Sequence, residues 1–410
     1  MKAWRYLYAG ALVFAMAVGI GVWNPLHPAG ADKTSDNIPR FVVDPYWPKP
    51  LQTRWVTGEV AGTCIDSQDH IFTVNRRNLD TLETSFGWPI APPVVEFDGE
   101  GNVVNAWGNP AILPNGLHGC FVDYEDNVWI AGNGDGIVQK YTHDGSTLLL
   151  QIGTKGRCDS PTGACGLPDS NSSPVLLNQP ADVAVDPEPD PVTGQRGSVY
   201  IADGYGNHRV AVFDRSGHFL RQWGSAGTGP GQFAPGGGGH PHCVVFDKHG
   251  LLHVCDRAND RIQVFDKLGS LKGIIPVKPG TGSVPGPYGN PDGSGRGAVG
   301  SANDLHFSID RDQKYMYVND VGNSALWIYG RFAGNKILGG FGRPGHQAGE
   351  FTLFHSVAVD SKGNMYTGET VGGRRSQKFV PRGFLSPKNL EVFRGSPHYD
   401  PLPGVGSDRD

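Results

Sequence analysis

The sequence is poor in charge, and neither sign of charge dominates it. Only 18% of its 410 residues are Asp, Glu, Lys or Arg, and the formal net charge is −5. A chain with this balance has no general attraction for a polyanion, which argues against binding of nucleic acid. The abundant residues are instead 60 glycines and 32 prolines, beside a hydrophobic share of 38% that is sufficient for a core. This composition favours many short strands joined by tight turns over long helices.

The N-terminus has the features of an export signal. Lys2 and Arg5 form a basic region, residues 7–23 are an apolar run without charge, and residues 29–31 are a small-x-small cleavage sequence. These features predict a signal peptide over residues 1–31. The alternative is an uncleaved membrane anchor, because the apolar run is near the shortest length that spans a bilayer. Either way, the rest of the chain is expected outside the cytoplasm, secreted or periplasmic.

The cysteines are six, an even number, as expected for a protein of an oxidising compartment. Two lie in one Pro/Gly-rich loop, two lie symmetrically about His249 in a predicted hairpin, and two remain. Many connectivities are open to six cysteines, so the pairing is a hypothesis, and buried free thiols are the alternative for each pair. The expected pairs are Cys158–Cys165, Cys243–Cys255 and Cys64–Cys120.

An internal repeat is the most informative feature of the sequence. The segments PADVAVDP (180–187), HCVVFDKHG (242–250) and HSVAVDSKG (355–363) are alternating apolar runs that end in Asp and a turn. Further strand-like runs follow each of them, and the same unit recurs less cleanly three more times. The period-two alternation, the β-branched and aromatic residues and the Gly/Asp/Asn turns indicate four antiparallel strands per unit.

Six such units predict the fold. One unit buries little surface alone, whereas radial stacking into a closed ring provides a core and protects the strand edges. We therefore expect an all-β protein, a six-bladed β-propeller over residues 55–385. Residues 32–54 would be an N-terminal extension and residues 386–410 an irregular tail. The Pro/Gly-rich segments 154–178 and 275–300 are predicted to be long loops.

Histidine recurs at one register of the repeat, in alternate units only. The register lies five residues before the Asp that ends the first strand of each unit. First strands line the channel of a propeller, so three imidazoles at one depth would meet at its axis. Three histidines and one open position are the ligand set of a catalytic zinc. The residues at this register are Ala61, His118, Ala181, His242, Leu305 and His355.

Packing is the alternative explanation for each of these histidines taken singly. Three imidazoles at an identical register on alternating units are much harder to obtain by accident, so we favour a metal site. Such a site accepts zinc, and also Co, Fe or Cu. The remaining nearby histidines are off the register and are interpreted as structural or surface residues: His240, His249, His253 and His306.

The ends of the second strands add three polar side chains near the channel mouth. Arg76 and Arg257 share one register, and Tyr205 lies one residue beyond it. Two guanidinium groups can hold a carboxylate through bidentate contacts, and a tyrosine close to a metal can act as a base. The alternative for each arginine is a surface or inter-blade salt bridge. Asp203 and Asp256, in the same loops, are expected to tie turns together.

The repeats resemble NHL repeats, and residues 183–224 are the clearest copy. Units two to four and six resemble, more narrowly, peptidyl-α-hydroxyglycine α-amidating lyase, a six-bladed propeller, within a span of about residues 55 to 380. That resemblance implies a zinc ion held by three histidines from alternate blades. The matching positions are His118 in GLHGCFVDYEDNVW, His242 in HPHCVVFDKHG and His355 in LFHSVAVDSKGNMY.

The resemblance also implies which residues do the chemistry. The catalytic tyrosine of the family matches Tyr205 in DGYGNHRV, and its arginines match Arg257 in DRANDRIQVF and Arg76 in NRRNLDTLETSF, with Arg77 as an alternative to Arg76. In the family an acidic residue after the third histidine helps to hold a structural calcium. Ser356 stands there in this chain, which argues against a calcium ion at that position.

The implied function is a zinc lyase that splits a carbinolamide, N–CH(OH)–COO⁻, into an amide and glyoxylate. Its partner would be a small-molecule or peptide substrate, without nucleic acid, without stable membrane contact once the signal is removed, and with the chain as a monomer. Two other functions stay open. One is a non-catalytic NHL propeller that binds a protein or glycan; the other is a metal-dependent hydrolase such as a lactonase, although no acidic residue occupies the histidine register.

Overall fold

Six antiparallel sheets make up the protein. The computed structural model describes residues 37–51, 54–166, 170–235, 238–278 and 300–385. These residues form 24 strands in six four-stranded sheets, the blades of a β-propeller. The all-β, six-bladed fold predicted from the repeat is thereby confirmed. Among the described residues, no helix is long and apolar enough to cross a membrane.

The first twelve strands are β1 (Ile38–Asp44), β2 (Val60–Ile65), β3 (Ile71–Asn75), β4 (Val94–Phe97), β5 (Val103–Trp107), β6 (Leu117–Val122), β7 (Val128–Gly132), β8 (Ile137–Tyr141), β9 (Leu148–Gly153), β10 (Asp182–Asp186), β11 (Ser198–Asp203) and β12 (Arg209–Phe213). The other twelve are β13 (Phe219–Trp223), β14 (Val244–Phe246), β15 (Leu252–Asp256), β16 (Arg261–Phe265), β17 (Leu271–Pro276), β18 (Asp304–Phe307), β19 (Tyr315–Asp320), β20 (Ala325–Gly330), β21 (Lys336–Phe341), β22 (Phe354–Val359), β23 (Met365–Glu369) and β24 (Ser376–Leu385). In the described part of the chain, the loops contain the short helix α1 (Thr81–Ser85) and the 3-10 turns Arg257–Asn259 and Arg331–Ala333.

Each of the first five blades is a meander in chain order. Blade 1 comprises β2 to β5, blade 2 β6 to β9, blade 3 β10 to β13, blade 4 β14 to β17 and blade 5 β18 to β21. The first strands lie innermost, where β2 contacts β6 and β22, and β10 contacts β6 and β14. The residues at the histidine register are therefore carried by strands that face one another across the channel.

The sixth blade is built from both ends of the chain. Its order is β22, β23, β24 and then β1, and β1 pairs with β24 from Ile38 opposite Leu385 to Asp44 opposite Lys378. The sequence predicted that residues 32–54 are an extension and that the propeller begins at residue 55. This prediction is wrong for residues 38–44, which form a strand of the sixth blade. The last unit supplies only three strands, and the N-terminal strand covers its open edge, which would otherwise expose unpaired backbone groups. The predicted signal peptide and C-terminal tail lie outside the described residues.

The hydrophobic core lies between neighbouring blades. Trp129 of blade 2 packs in one cluster with Val183 and Phe213 of blade 3, and Phe354 of blade 6 packs in another with Ile328 of blade 5. Each blade therefore packs against a neighbour on both of its faces. This explains why the strands carry β-branched and aromatic residues on both sides. Each fully buried large apolar side chain contributes about 1.5–3 kcal/mol.

The Asp residues at the ends of the second strands tie the loops of their blades together, as predicted. Asp203 accepts hydrogen bonds from Asn207 Nδ2 at 2.7 Å and Arg209 Nε at 2.9 Å. Asp256 binds Asn259 and Arg261 through the same pair of donors. The repeated D…N-x-R pattern is therefore structural, because each buried carboxylate has its own guanidinium partner.

The six cysteines form the three expected disulfides, Cys158–Cys165, Cys243–Cys255 and Cys64–Cys120. The first closes a loop and the second spans the β14–β15 hairpin. The third joins β2 of blade 1 to β6 of blade 2, so it cross-links two blades near the channel.

Removing the inter-blade disulfide should destabilise the protein more than removing the loop disulfide. Cys64 and Cys120 are 56 residues apart and Cys158 and Cys165 are 7 apart, so the loop-closure entropies correspond to about 4 and about 2.5 kcal/mol. Urea unfolding of the Cys64→Ser/Cys120→Ser and Cys158→Ser/Cys165→Ser variants measures the difference. Equal losses, or a larger loss for the second variant, would contradict this ranking.

Candidate metal centre

Three imidazoles converge at the axis of the propeller. His118 lies on β6, His355 on β22, and His242 directly precedes β14. All three are buried, with 2%, 5% and 3% of their surface exposed, respectively. Their ring centroids are 4.4–5.1 Å apart, and one ring nitrogen of each lies within 4.8 Å of the others. The register identified in the repeat therefore brings these side chains close enough to bind one ion.

The outer nitrogen of each ring is fixed by a backbone carbonyl of the next blade. Nδ1 of His118 lies 2.7 Å from the Ala181 oxygen, and Nδ1 of His355 lies 2.7 Å from the Ala61 oxygen. Nδ1 of His242 lies 2.7 Å from the Asn303 oxygen. Since a carbonyl only accepts, each Nδ1 carries the proton and each Nε2 presents a lone pair to the axis. Metal-binding histidines in proteins are oriented in this way.

Burial keeps the three imidazoles neutral. It lowers the pKa of His118 and His242 well below the ordinary value, and neighbouring positive charge, including Arg257, acts in the same direction. Burial and Arg76 lower the pKa of His355 to about 3. At neutral pH the three Nε2 lone pairs are therefore available to a cation without loss of a proton.

The metal-free protein should lose stability in acid through these histidines. The pKa of His355 falls from 6.5 to about 3 on folding, so its contribution is complete above pH 6.5 and is lost as the pH falls towards 3. In that window one such imidazole contributes about 1.4 kcal/mol per pH unit. Denaturant unfolding of the chelator-treated protein at several pH values should therefore show a shallower pH dependence for His355→Gln than for the wild type. Identical slopes would contradict the burial argument.

Tyr205 places its hydroxyl against the inner nitrogens of two histidines. The loop after β11 carries it, and its oxygen lies 3.0 Å from Nε2 of His118 and 3.3 Å from Nε2 of His242. Gly239, with φ +81°, allows this approach, because a Cβ there would lie 2.5 Å from the His242 ring and 2.9 Å from the Tyr205 ring. The glycines before His242 are thus explained in part by the need for close contact.

Arg257 is the second polar group at the centre. Its Nη1 donates to Asn303 Oδ1 at 3.0 Å, and its guanidinium lies 5.8 Å from the Tyr205 ring centroid. Its Nε is buried and has no hydrogen-bond partner among the residues that the structure describes. A buried charged donor without a partner is costly, so this side chain is prepared for an anionic ligand.

Arg76, rather than Arg77, faces the histidines. Arg76 donates from Nε to the Leu117 oxygen at 2.9 Å and from Nη1 to Glu59 at 2.6 Å. Arg77 instead donates to the oxygen of Ala91 at 3.1 Å, in the loop behind. Burial would raise the pKa of Glu59, but Arg76 and other donors outweigh it and lower that pKa.

Asn303 is a residue of the centre that sequence reasoning missed. Its backbone oxygen binds His242, its Oδ1 accepts from Arg257, and its Nδ2 donates to the His355 oxygen at 2.5 Å. It thereby positions two metal-site histidines and one arginine. It lies two residues before the register position of blade 5, so the repeat contained no signal for it.

Two carboxylates in the channel were also missed. Asp182 and Asp304 adjoin the register positions of blades 3 and 5, and they accept backbone N–H groups of Val244 and Val357 from the next blades at 3.1 and 2.9 Å. Burial raises the pKa of Asp182 to about 7 and, together with Asp182, raises that of Asp304 well above its ordinary value. In the sequence, the position of Asp182 and Asp304 next to the histidine register was the feature that could have identified them.

Position 356 offers no carboxylate for calcium. Ser356 Oγ forms a hydrogen bond of 3.0 Å with Thr63 Oγ1. The off-register histidines do not join the three-histidine cluster among the described residues. His240 accepts from the Ala258 N–H, and the His306 ring bonds its neighbouring backbone oxygen. A channel of about 490 Å³ adjoins the three histidines and runs along the first strands to Asp66 and Asp360; Tyr205 and the two arginines are not among its lining residues.

Comparison with known proteins identifies relatives of two kinds, although no protein-family model matches the chain. NHL repeat-containing protein 3 of Homo sapiens is 27% identical over 353 residues, which cover 83% of this chain and 84% of that protein. Peptidylglycine alpha-amidating monooxygenase of Rattus norvegicus is 29% identical over 273 residues, 60% of this chain but only 23% of the relative. The probable peptidyl-alpha-hydroxyglycine alpha-amidating lyase pgal-1 of Caenorhabditis elegans is 23% identical over 221 residues, 51% of this chain and 55% of the relative. The chain is thus a six-bladed β-propeller that is similar both to an NHL repeat-containing protein and to peptide-amidating enzymes.

Proposed function

We propose that the protein is an extracytoplasmic zinc-dependent lyase that cleaves a peptidyl-α-hydroxyglycine-type carbinolamide to an amide and glyoxylate. The observation that carries the proposal is the Tyr205 hydroxyl, which contacts Nε2 of two of three convergent histidines. The three histidines supply the ligands of an open zinc site. Relatedness to the amidating enzymes and the three disulfides support the reaction and the compartment.

Residues of this chain account for each need of the reaction. His118, His242 and His355 would hold the ion, which would supply Lewis-acid polarisation of the substrate oxygen. Tyr205, as its phenolate, takes the proton of the substrate hydroxyl as the C–N bond breaks and the aldehyde carbonyl of glyoxylate forms, and the resulting phenol is then the proton donor for the leaving nitrogen. The electron pair of that bond leaves with the amide nitrogen, which gains a proton. The overall reaction therefore needs no oxidant and no added water.

The arginines hold the substrate carboxylate. The buried Nε of Arg257 lacks a partner, so a carboxylate oxygen can accept from it and end the desolvation penalty. Arg76 adds positive charge beside His118 and His355. Two fixed cations at the metal also stabilise the negative charge that develops as the hydroxyl loses its proton.

Glyoxylate release from benzoyl-α-hydroxyglycine by the purified protein, measured beside its metal content, tests the proposal. One zinc ion per chain together with glyoxylate release supports the lyase. Zinc without glyoxylate would overturn the substrate assignment. Neither zinc nor glyoxylate would favour the alternative suggested by the NHL repeat-containing relative, a propeller that binds a protein or glycan.

Replacing the guanidinium group of Arg257 by the amine of lysine should weaken substrate binding more than it lowers kcat. Arg257→Lys keeps the charge but removes Nε and the paired geometry, so KM should rise roughly 10- to 100-fold with the metal retained. Steady-state kinetics measure this change. Arg77→Lys is the matched control, since Arg77 binds the loop oxygen of Ala91. An unchanged KM in Arg257→Lys would exclude it from carboxylate binding.

A further inference from the structure

A second group of metal-binding side chains lies between blades 1 and 2. The ligand atoms of Asp66, His70 and Glu96 lie within 4.8 Å of one another. His143 joins this cluster through its bond to Asp66. The four residues come from the end of β2, the turn before β3, strand β4 and the turn after β8. Nδ1 of His70 lies 2.8 Å from Glu96 Oε1 and 3.6 Å from Asp66 Oδ2. Nε2 of His143 lies 2.8 Å from the same Asp66 oxygen.

The cluster is far from the three-histidine centre. Asp66 lies five residues along β2 from Ala61, whose oxygen binds His355. Five residues of strand span about 17 Å. The two groups of ligands are therefore too far apart to share one ion.

Packing and backbone bonds orient the donors. Asp66 Oδ1 accepts the backbone N–H groups of Gln68 and His70, which leaves Oδ2 directed at the imidazoles. The Phe72 ring packs edge-on against His143 with centroids 5.3 Å apart. Such outer contacts hold ligands in place in established metal sites.

The two carboxylates are buried without a permanent cation. The side chains of Asp66 and Glu96 are 0% and 4% exposed, whereas those of His70 and His143 are 28% and 32% exposed. No Lys or Arg in the part of the chain described here forms an ion pair with either carboxylate. Two buried negative charges beside neutral imidazoles attract a compensating cation, and the partly exposed imidazoles leave a path for one to enter.

Other blade junctions show what usually occupies this place. His143 comes two residues after Tyr141, at the end of β8. The residues two positions after Phe265 and Tyr329, in the corresponding strands, are Lys267 and Arg331. Lys267 binds Asp186 of the preceding blade at 2.5 Å, and Arg331 binds Asp247 at 2.6 Å. The blade 3–4 and blade 4–5 junctions thus have a permanently charged side chain at this position. The blade 1–2 junction has the imidazole of His143 there instead.

We propose that the cluster of Asp66, His70, Glu96 and His143 binds one divalent transition-metal ion of the zinc type, which ties blade 1 to blade 2. Two imidazoles and two carboxylates are a donor set that such ions accept. The ion replaces the Lys or Arg that joins other blades. This site is independent of the proposed lyase activity.

The test compares metal counts in the full chain with and without His143→Lys. Lysine at this position restores the ion pair found at Lys267. Its positive charge then competes with a metal ion for Asp66, so the fold is preserved while metal binding is lost. After equilibrium dialysis against micromolar Zn²⁺, and separately Co²⁺, the wild type should bind one more ion per chain than the variant. This difference does not depend on whether the three-histidine centre is filled.

A second variant guards against indirect effects. His70→Gln should lower the count by the same single ion, and added Zn²⁺ should raise the melting temperature of the wild type more than that of either variant. Equal metal counts in the wild type and both variants would overturn the proposal. So would an equal rise in melting temperature, even if the three-histidine centre binds its ion.

Discussion

His242→Ala is expected to lose both the bound metal and glyoxylate release. The substitution removes one of three ligands and leaves the Asn303 oxygen without its donor, so the remaining two imidazoles hold the ion weakly. The rate should fall at least about 10³-fold, which is about 4 kcal/mol of transition-state stabilisation. Metal analysis and the glyoxylate assay on the same samples measure the two losses together.

His306→Ala is the control for this experiment. His306 also borders the channel but is not part of the three-histidine cluster. Its ring bonds the oxygen of Phe307, so its removal should leave the metal content and the rate close to those of the wild type. Retention of the ion and of the rate in His242→Ala would refute the three-histidine centre.

Tyr205→Phe should retain the metal and lose the reaction. The substitution removes only the hydroxyl that contacts Nε2 of His118 and His242, while the ring continues to pack. Loss of a general base lowers a rate by about 10²- to 10⁴-fold, and KM should change little because the arginines still hold the carboxylate. Single-turnover measurement of glyoxylate formation, with the metal content determined in parallel, separates chemistry from binding.

Tyr200→Phe, in the strand β11 that precedes the Tyr205 loop, is the matched control. The Tyr200 hydroxyl donates to the Lys267 oxygen and accepts from Arg221 within the blades. Its loss should therefore lower the melting temperature without affecting the rate per metal ion. If Tyr205→Phe turned over within about twofold of the wild type, Tyr205 would not be the base and the proposed mechanism would fail.

Most of the fold could be predicted because the strands and turns of each repeat are determined by residues within that repeat. Alternating apolar residues and Asp/Gly turns define a four-stranded meander locally, and six meanders close their exposed edges only as a ring. The depth of His118, His242 and His355 in the channel follows from the same repeat, since residues at one register of equivalent strands occupy equivalent positions. The disulfides could be anticipated where two cysteines flank a turn or a loop.

Contacts between different blades could not be read in the same way. The pairing of β1 with β24 joins residues over 300 positions apart, and the short segment before blade 1 contains no copy of the repeat. Asn303 acts through its place beside His242 and His355 in the folded ring. A register defined within one blade contains no information about which residue of the next blade lies beside it.

The periodic pattern alone was thus sufficient for the architecture, the number of blades and the depth of the histidines, because these depend on short-range strand geometry repeated six times. Tertiary structure decided that the charge of Arg76 lies near His118 and His355, that Tyr205 contacts two imidazoles, and that His70 and His143 both approach Asp66. These features depend on the twist of each blade and on the angle between neighbouring blades in the closed ring. The alternation of residues within one strand contains no information about either.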